Sequence, residues 1–415
     1  MHAKFTIAVV LMAFVCLGSV CSLALGESKY RDPVIVRADV VYDLEQGLTP
    51  NVVRASNGDL IVHWATRGDG MPGQATKFSR SSDSGKTWSK PFLTISSEKP
   101  LTGTATSFYN LPDGKRVSKR ILVYTLELVW PGEPDETKPN YLELAGGRKF
   151  DSYYSFTTDD GNTFSDRKLL SDPVKRNDFA QGSIVKLPNG DLLWPWGHWD
   201  SQPLHGFKRS TDKGLTWGPI LRAWQDPPPG YDKPLTFNET AAAVCKNGTI
   251  VAVARVDTLV DKKFWQIKSS DNGKTWTAPR QIEIAGGSPA MYCTPKGQLW
   301  LAYRDAGVGP GLGLAVSDDN GEHWRYLYHL KDPKEKIEEH FGNTLYTDED
   351  RKQQWRPAEG IVGYPCFARI SDSEVYVVFH AQAWDLPKIG AGVYIAGNLL
   401  KIPNAHYSPD STFDR

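Results

Sequence analysis

The stretch SRSSDSGKTWSKP, Ser79 to Pro91, sets Ser81, Asp83, Gly85, Thr87 and Trp88 at short, fixed spacings. It is too polar for a core strand and too regular for a random loop. Written as Ser-x-Asp-x-Gly-x-Thr-Trp, it recurs as TTDDGNTF (Thr157 to Phe164), STDKGLTW (Ser210 to Trp217), SSDNGKTW (Ser269 to Trp276) and SDDNGEHW (Ser317 to Trp324). Asp83, Asp159, Asp212, Asp271 and Asp319 are 76, 53, 59 and 48 residues apart. Such periods suit one four-stranded sheet per repeat in a radial array. Each copy reads as a self-contained hairpin loop. Its aspartate accepts hydrogen bonds from the loop backbone, its glycine takes the positive φ of the turn, and its aromatic folds back into the sheet. These are staples, not a catalytic site.

A second periodic element precedes the staples. TPNVVRASNGDLIVHWATR, QGSIVKLPNGDLLWPWGHW, ETAAAVCKNGTIVAVARVD and SPAMYCTPKGQLWLAYRDA each read as strand, turn, strand. GYPCFARISDSEVYVVFHA follows the last staple in the same form, and ATSFYNLPDGKRVSKRILVYTLE fits more loosely. Six hairpins result, five of them followed by a staple. The one helical candidate is short, Asp332 to His340.

Composition bounds the rest. His2 and Lys4 lead a mostly apolar run, Phe5 to Leu25, that ends in Ala24-Leu25-Gly26, the pattern of a secretory signal peptide over 1–26. A membrane anchor is the alternative, and a lipid anchor at Cys21 has a poor approach in Gly18-Ser19-Val20. With the leader removed, the chain is expected to be secreted or periplasmic and to have no membrane span. Only Cys245, Cys293 and Cys366 then remain, so at most one disulfide forms and a core must hold the fold. Lys+Arg and Asp+Glu balance at 48 each, which leaves no global field to attract nucleic acid. His63, His198, His205 and His380 lack metal-ligand spacing, and GPGLG (Gly309 to Gly313) lacks a phosphate-loop context. No cofactor or metal is expected. WPWGHWD (Trp194 to Asp200) offers aromatic walls for sugar stacking or, equally, core.

In a radial array, equivalent positions of successive sheets face one axis. Seven residues after Gly248 and Gly297 come Arg255 and Arg304, and seven after Ser373 comes His380. Nine after Gly58 comes Arg67, on the same side of its strand. Taken singly, each arginine reads as a solvated strand end. Converging like charges cost energy unless an anion is expected, and guanidinium forks match carboxylates. An acidic ligand, a sugar acid included, would fit.

The five staples resemble the Asp-boxes of the sialidase (neuraminidase) superfamily, and the resemblance covers nearly all of the chain after the leader. It implies an all-β, six-bladed β-propeller over 30–402, with a tail over 403–415. Within it, FNETAAAVCKNGTIVAVAR resembles the segment with a glutamate, here Glu239, and a carboxylate-binding arginine, here Arg255. GYPCFARI resembles the nucleophile stretch and makes Tyr364 the nucleophile. HWATRGDG resembles the segment with a pocket arginine, Arg67, and an acid/base aspartate, whose nearest match is Asp69. The remaining arginine of the family's triad aligns with Arg356 or Arg351, whereas the register argument selects Arg304. Two positions depart from the family: Leu48 stands where the first triad arginine belongs, and His380 where its carboxylate partner belongs. Losing both together avoids a stranded buried charge.

The resemblance implies an exo-glycosidase acting on the terminal acidic sugar of a glycan or glycoconjugate. A neutral phenol suits an anionic substrate, with Glu239 taking its proton and Asp69 serving the leaving oxygen. Two alternatives stay open: a glycan-binding propeller without catalysis, and a glycan-degrading enzyme with a changed substrate. Structural readings also stay open, with Tyr364 as a packed strand residue, Glu239 paired to Arg255, and Asp69 as an ordinary loop aspartate.

Overall fold

The structure is a computed structural model. It describes residues 32–42, 48–65, 75–91, 93–96, 102–111, 120–129, 149–171, 177–198, 204–256, 259, 261–307, 311–330, 362–382 and 393–402. The leader over 1–26, the helical candidate over 332–340, the tail over 403–415 and Arg67, Asp69, Arg351 and Arg356 lie outside the described residues.

The chain enters through β1 (Val34–Tyr42), which pairs with the last strand rather than with its sequence neighbour. Blade 1 is β2 (Leu48–Arg54), β3 (Leu60–Ala65), β4 (Ala75–Ser81) and β5 (Leu93–Ser96). Blade 2 is β6 (Thr102–Asn110), β7 (Ile121–Val129), β8 (Lys149–Thr157) and β9 (Lys168–Leu169). In blade 3 the innermost position is split between β10 (Asp178–Ala180) and β11 (Val185–Lys186). Its outer strands are β12 (Leu192–His198), β13 (Leu204–Ser210) and β14 (Leu221–Arg222).

Blade 4 is β15 (Phe237–Val244), β16 (Ile250–Val256), β17 (Lys263–Ser269) and the first part of β18 (Arg280–Cys293). β18 pairs with β17 through Ala285, then crosses inward and pairs from Gly286 with β19 (Leu299–Asp305). It is therefore the outer strand of one blade and the inner strand of the next. β20 (Leu312–Ser317) and β21 (Arg325–His329) complete blade 5. Blade 6 is β22 (Gly363–Arg369), β23 (Glu374–Gln382), β24 (Val393–Lys401) and, as its fourth strand, β1. The first and last described strands thus share one sheet. β2 touches both β6 and β22, and β18 touches β15 and β22, so the blades close on themselves as a six-bladed propeller. No α-helix occurs among the described residues.

The core lies in the seams between blades. β3 and β12 are buried at every position, as a strand sandwiched between two neighbouring sheets must be. Between blades 5 and 6, Trp300, Leu314 and Val316 meet Val375, Val377 and Tyr394; between blades 2 and 3, Tyr109, Leu122 and Tyr124 meet Trp194 and Trp196. Each such side chain contributes about 1.5–3 kcal/mol by leaving water. Trp194 and Trp196 are wholly buried, so the WPW segment forms core and not a sugar-stacking wall.

The five staples form as expected, between the third and fourth strands of blades 1 to 5. Asp83 accepts from Ser81 Oγ at 2.8 Å, from Thr87 N at 2.9 Å and from Thr87 Oγ1 at 2.6 Å. Gly85 has φ 86° and donates its N–H to Ser81 Oγ at 2.8 Å. In the fifth copy His323 Nδ1 replaces the threonine hydroxyl, 2.6 Å from Asp319. One expectation is corrected in part: Phe164 and Trp217 fold back on Phe108 and Trp194 of their own blades, whereas Trp88, Trp276 and Trp324 reach the preceding blade. Trp276 of blade 4 stacks on Phe207 of blade 3 at 4.8 Å, and Trp324 Nε1 of blade 5 donates to Gln266 of blade 4 at 2.8 Å. The reason is geometric, since the seam has the larger apolar surface still to bury.

Cys245 and Cys366 are buried, Cys293 is half-buried, and all three are free thiols. No helix of the described residues is long and apolar enough to cross a membrane, and none of their His, Cys, Asp and Glu groups could hold a metal ion.

Candidate functional site at the hub

Four innermost strands carry the same defect. Pairing slips by one residue between Leu48 and Asn51, Asn238 and Ala241, Gly287 and Ala290, and Gly363 and Cys366. In each bulge the second residue is left-handed: Thr49 at φ 46°, Glu239 at 44°, Ser288 at 48° and Tyr364 at 51°. A non-glycine residue held there costs on the order of 1–3 kcal/mol. Bulges re-aim side chains, and these four aim at one place. Blade 3 reaches the same result through the break between β10 and β11, which delivers Gln181. Thr49, Gln181, Glu239, Ser288 and Tyr364 all line a single cavity at the hub.

A second ring lies two residues further along each strand: Asn51, Ser183, Ala241, Ala290 and Cys366 line the same cavity. These are small residues, and their size leaves the cavity open. The hub ring was legible in principle. Each of its five members stands nine residues before the turn position of its hairpin, at Gly58, Gly190, Gly248, Gly297 or Ser373. Sequence reasoning counted forward from those turns and found arginines; counting backward would have added Thr49, Gln181 and Ser288 to Glu239 and Tyr364.

The forward count also holds. Arg255 sits opposite Asn238, Arg304 opposite Gly287 and His380 opposite Gly363, at one register on the second strands of blades 4, 5 and 6. The structure brings these groups together. Tyr364 Oη donates to Glu239 Oε1 at 3.0 Å. Glu239 Oε2 is paired with Arg255 Nη1 at 2.8 Å and accepts the Ser288 N–H at 2.7 Å. Arg304 donates from Nε to Val362 O at 2.8 Å and from Nη2 to Ser288 Oγ at 3.0 Å, with its guanidinium 5.8 Å from the Tyr364 ring centre. Arg304 has no carboxylate partner among the described residues, whereas the charge of Arg255 is answered by Glu239.

Each arginine leans across the seam into a gap left by a glycine. A Cβ on Gly363 would lie 2.8 Å from Arg304 Nη2 and 3.1 Å from Nε; one on Gly287 would lie 3.4 Å from Arg255 Cδ. His380 occupies the corresponding place in blade 6, and its role differs from the expected ligand contact. It is 2% exposed, behind the hub ring. Burial, with the nearby charge of Arg304, pushes its imidazole down to about 3, so it is neutral. Its Nδ1 accepts the Thr49 N–H at 3.4 Å and its ring packs 5.7 Å from that of Tyr364. Leu48 is half-buried at the head of its bulge, opposite Ala65. The pair that departs from the family pattern is therefore uncharged on both sides.

What this arrangement offers chemically is a phenol hydrogen-bonded to a carboxylate, both lining the hub cavity, with the Arg255 and Arg304 guanidiniums beside them. Glu239 and Arg255 side chains are 14% and 28% exposed, so a ligand reaches both.

Comparison with known proteins agrees with the fold. A family model described as BNR repeat-like domain matches residues 139–377. No curated protein sequence matches the chain. Among solved structures, a protein of unknown function from Dyadobacter fermentans is 20% identical with a TM-score of 0.65, over 89% of this chain and 99% of that one. A Hadza microbial sialidase is 17% identical with a TM-score of 0.60, over 86% and 66%. The intramolecular trans-sialidase from Ruminococcus gnavus, solved with oseltamivir carboxylate, is 15% identical with a TM-score of 0.59, over 90% and 99%. At these identities the likeness is one of fold, while the family match spans more than half of the residues: this chain belongs to the BNR repeat-like family, built on the propeller of the sialidases.

Proposed function

We propose that this protein is an exported exo-glycosidase that removes a terminal acidic sugar, of the sialic acid type, from a glycan or glycoconjugate with retention of configuration. The observation that carries the reading is the 3.0 Å hydrogen bond from Tyr364 to Glu239, with Arg304 alongside and without a carboxylate partner among the described residues. Arg304 receives the sugar's carboxylate and so places the anomeric carbon against the Tyr364 oxygen. In the first step the phenol oxygen bonds to that carbon as the glycosidic C–O bond breaks. The phenol proton passes to Glu239, and an acid, assigned to Asp69 by sequence, protonates the departing oxygen. In the second step the conjugate base of that acid takes a proton from water. The hydroxyl replaces the tyrosyl oxygen, which recovers its proton from Glu239. A neutral phenol avoids the repulsion that a carboxylate nucleophile would meet from the substrate's own charge.

The uncharged pair Leu48 and His380 favours a second reading within the same chemistry. Position 48 offers an anion no arginine, which suits an acidic sugar other than sialic acid. The test is release of 4-methylumbelliferone from its N-acetylneuraminic acid glycoside by wild type and by Tyr364→Phe. Turnover by the first and none by the second is expected. Absence of turnover by both would refute the sialic acid assignment and leave another acidic sugar or a purely glycan-binding propeller.

A further inference from the structure

We propose that Ser288 is a positioning residue that locks the anion-binding arginine to the general base; this rests on the roles given above to Arg304 and Glu239. Ser288 occupies in blade 5 the left-handed bulge position that Glu239 and Tyr364 occupy in blades 4 and 6. Its two polar groups face opposite ways along the site. The backbone N–H donates to Glu239 Oε2 at 2.7 Å, and the hydroxyl oxygen accepts from Arg304 Nη2 at 3.0 Å. The residue is 3% exposed, so neither bond competes with bulk water.

The residue type follows from these demands. The position needs a small side chain, because it is buried between Glu239 and Arg304. It needs an acceptor, because Arg304 arrives with a donor that burial would otherwise strand. It must also be uncharged. An aspartate would hold Arg304 as firmly but would answer its positive charge, and the guanidinium would no longer draw an anion. Serine satisfies all three; alanine fails the second and aspartate the third. Thr49, at φ 46° in the equivalent bulge of blade 1, shows that this backbone also accepts threonine.

The test compares wild type, Ser288→Ala and Ser288→Thr by two measurements. The first is water exchange of the Arg304 Nη2 hydrogens, followed by NMR on ¹⁵N-arginine protein, which reads the bond to Ser288 Oγ whether or not the chain turns over a substrate. The second is KM against kcat for the 4-methylumbelliferyl glycoside of N-acetylneuraminic acid. Ser288→Ala is expected to speed the exchange and to raise KM by about 10-fold each at little change in kcat, the loss of one charge-assisted hydrogen bond, and Ser288→Thr to restore both. Unchanged exchange in Ser288→Ala, or failure of threonine to restore it, overturns the proposal, as does a KM that stays put in an active enzyme. If exchange responds as expected while even wild type releases no fluorophore, the clamp stands and the sialidase reading falls.

Discussion

Replacing Gly363 by alanine tests the hub with one methyl group. The glycine has an ordinary φ, so the backbone itself tolerates a side chain; the obstacle is Arg304. The added Cβ would sit 2.8 Å from Nη2 and 3.1 Å from Nε, and carbon–nitrogen contacts that short do not persist. The guanidinium must retreat by several tenths of an ångström, away from Val362 O at 2.8 Å and Ser288 Oγ at 3.0 Å. Losing or stretching one charge-assisted hydrogen bond of this kind costs about 1.5–3 kcal/mol, which is roughly 10- to 100-fold in capture of an anionic substrate. Gly287→Ala is the built-in control, because its Cβ would meet Arg255 Cδ at an ordinary 3.4 Å. Steady-state kinetics on the acidic glycoside should show KM rising in Gly363→Ala and hardly moving in Gly287→Ala, with melting temperatures close to wild type for both. Equal KM values for Gly363→Ala and wild type would refute the claim that Arg304, in this exact pose, anchors the substrate.

Other expectations follow from the seams and the buried ionisable groups. His63, whose Nε2 accepts the Phe108 N–H at 3.0 Å, is pushed down to about 3 by burial, as is His380, while His205 falls to about 4. All three are neutral when folded and take up protons when unfolded below about 6.5, so stability is full above that pH and falls as pH drops toward 3–4. Urea unfolding from pH 7 to 4 should show this slope, and His63→Gln should flatten it by up to about 1.4 kcal/mol per pH unit; an identical slope in the variant counts against the assignment. Trp194→Ala should cost about 3–5 kcal/mol of stability by emptying the seam between blades 2 and 3, with KM unchanged in the folded fraction; a large KM effect with intact stability would restore the sugar-stacking role. Burial pushes the thiols of Cys245, Cys293 and Cys366 up to about 12, 11 and 11, so native protein at pH 8 should resist a disulfide reagent at all three until denaturant is added. Rapid native labelling of Cys245 or Cys366 would contradict the buried positions assigned to them.

Much of the site was countable along the chain. Arg255, Arg304 and His380 share a register because blades repeat the same hairpin, and a fixed offset from the turn survives folding unchanged. Which of them would meet a ligand was not countable. Arg255 is spoken for by Glu239, Arg304 has no carboxylate partner among the described residues, and His380 is buried behind Tyr364; those differences arise between side chains on different strands, 16 to 125 positions apart. The aromatic of each staple was placed in its own sheet because local pattern favours local contacts, and the seam between blades lies outside any local window. The bulges escaped notice because a single extra residue leaves no compositional mark where it falls between strand-forming segments.

By itself, the sequence of this protein determined the number and kind of its sheets. The Ser-x-Asp-x-Gly-x-Thr-Trp loops and the turn glycines are satisfied by their own neighbours, so their conformations are properties of a few consecutive residues. Only the tertiary structure decided how the hub is wired. Closing six sheets into a ring turns four bulges and the break in blade 3 toward one axis, and it sets Tyr364 of blade 6 and the Ser288 N–H of blade 5 on Glu239 of blade 4. Those bonds join strands from different blades, and they exist only once the seams have packed and excluded water.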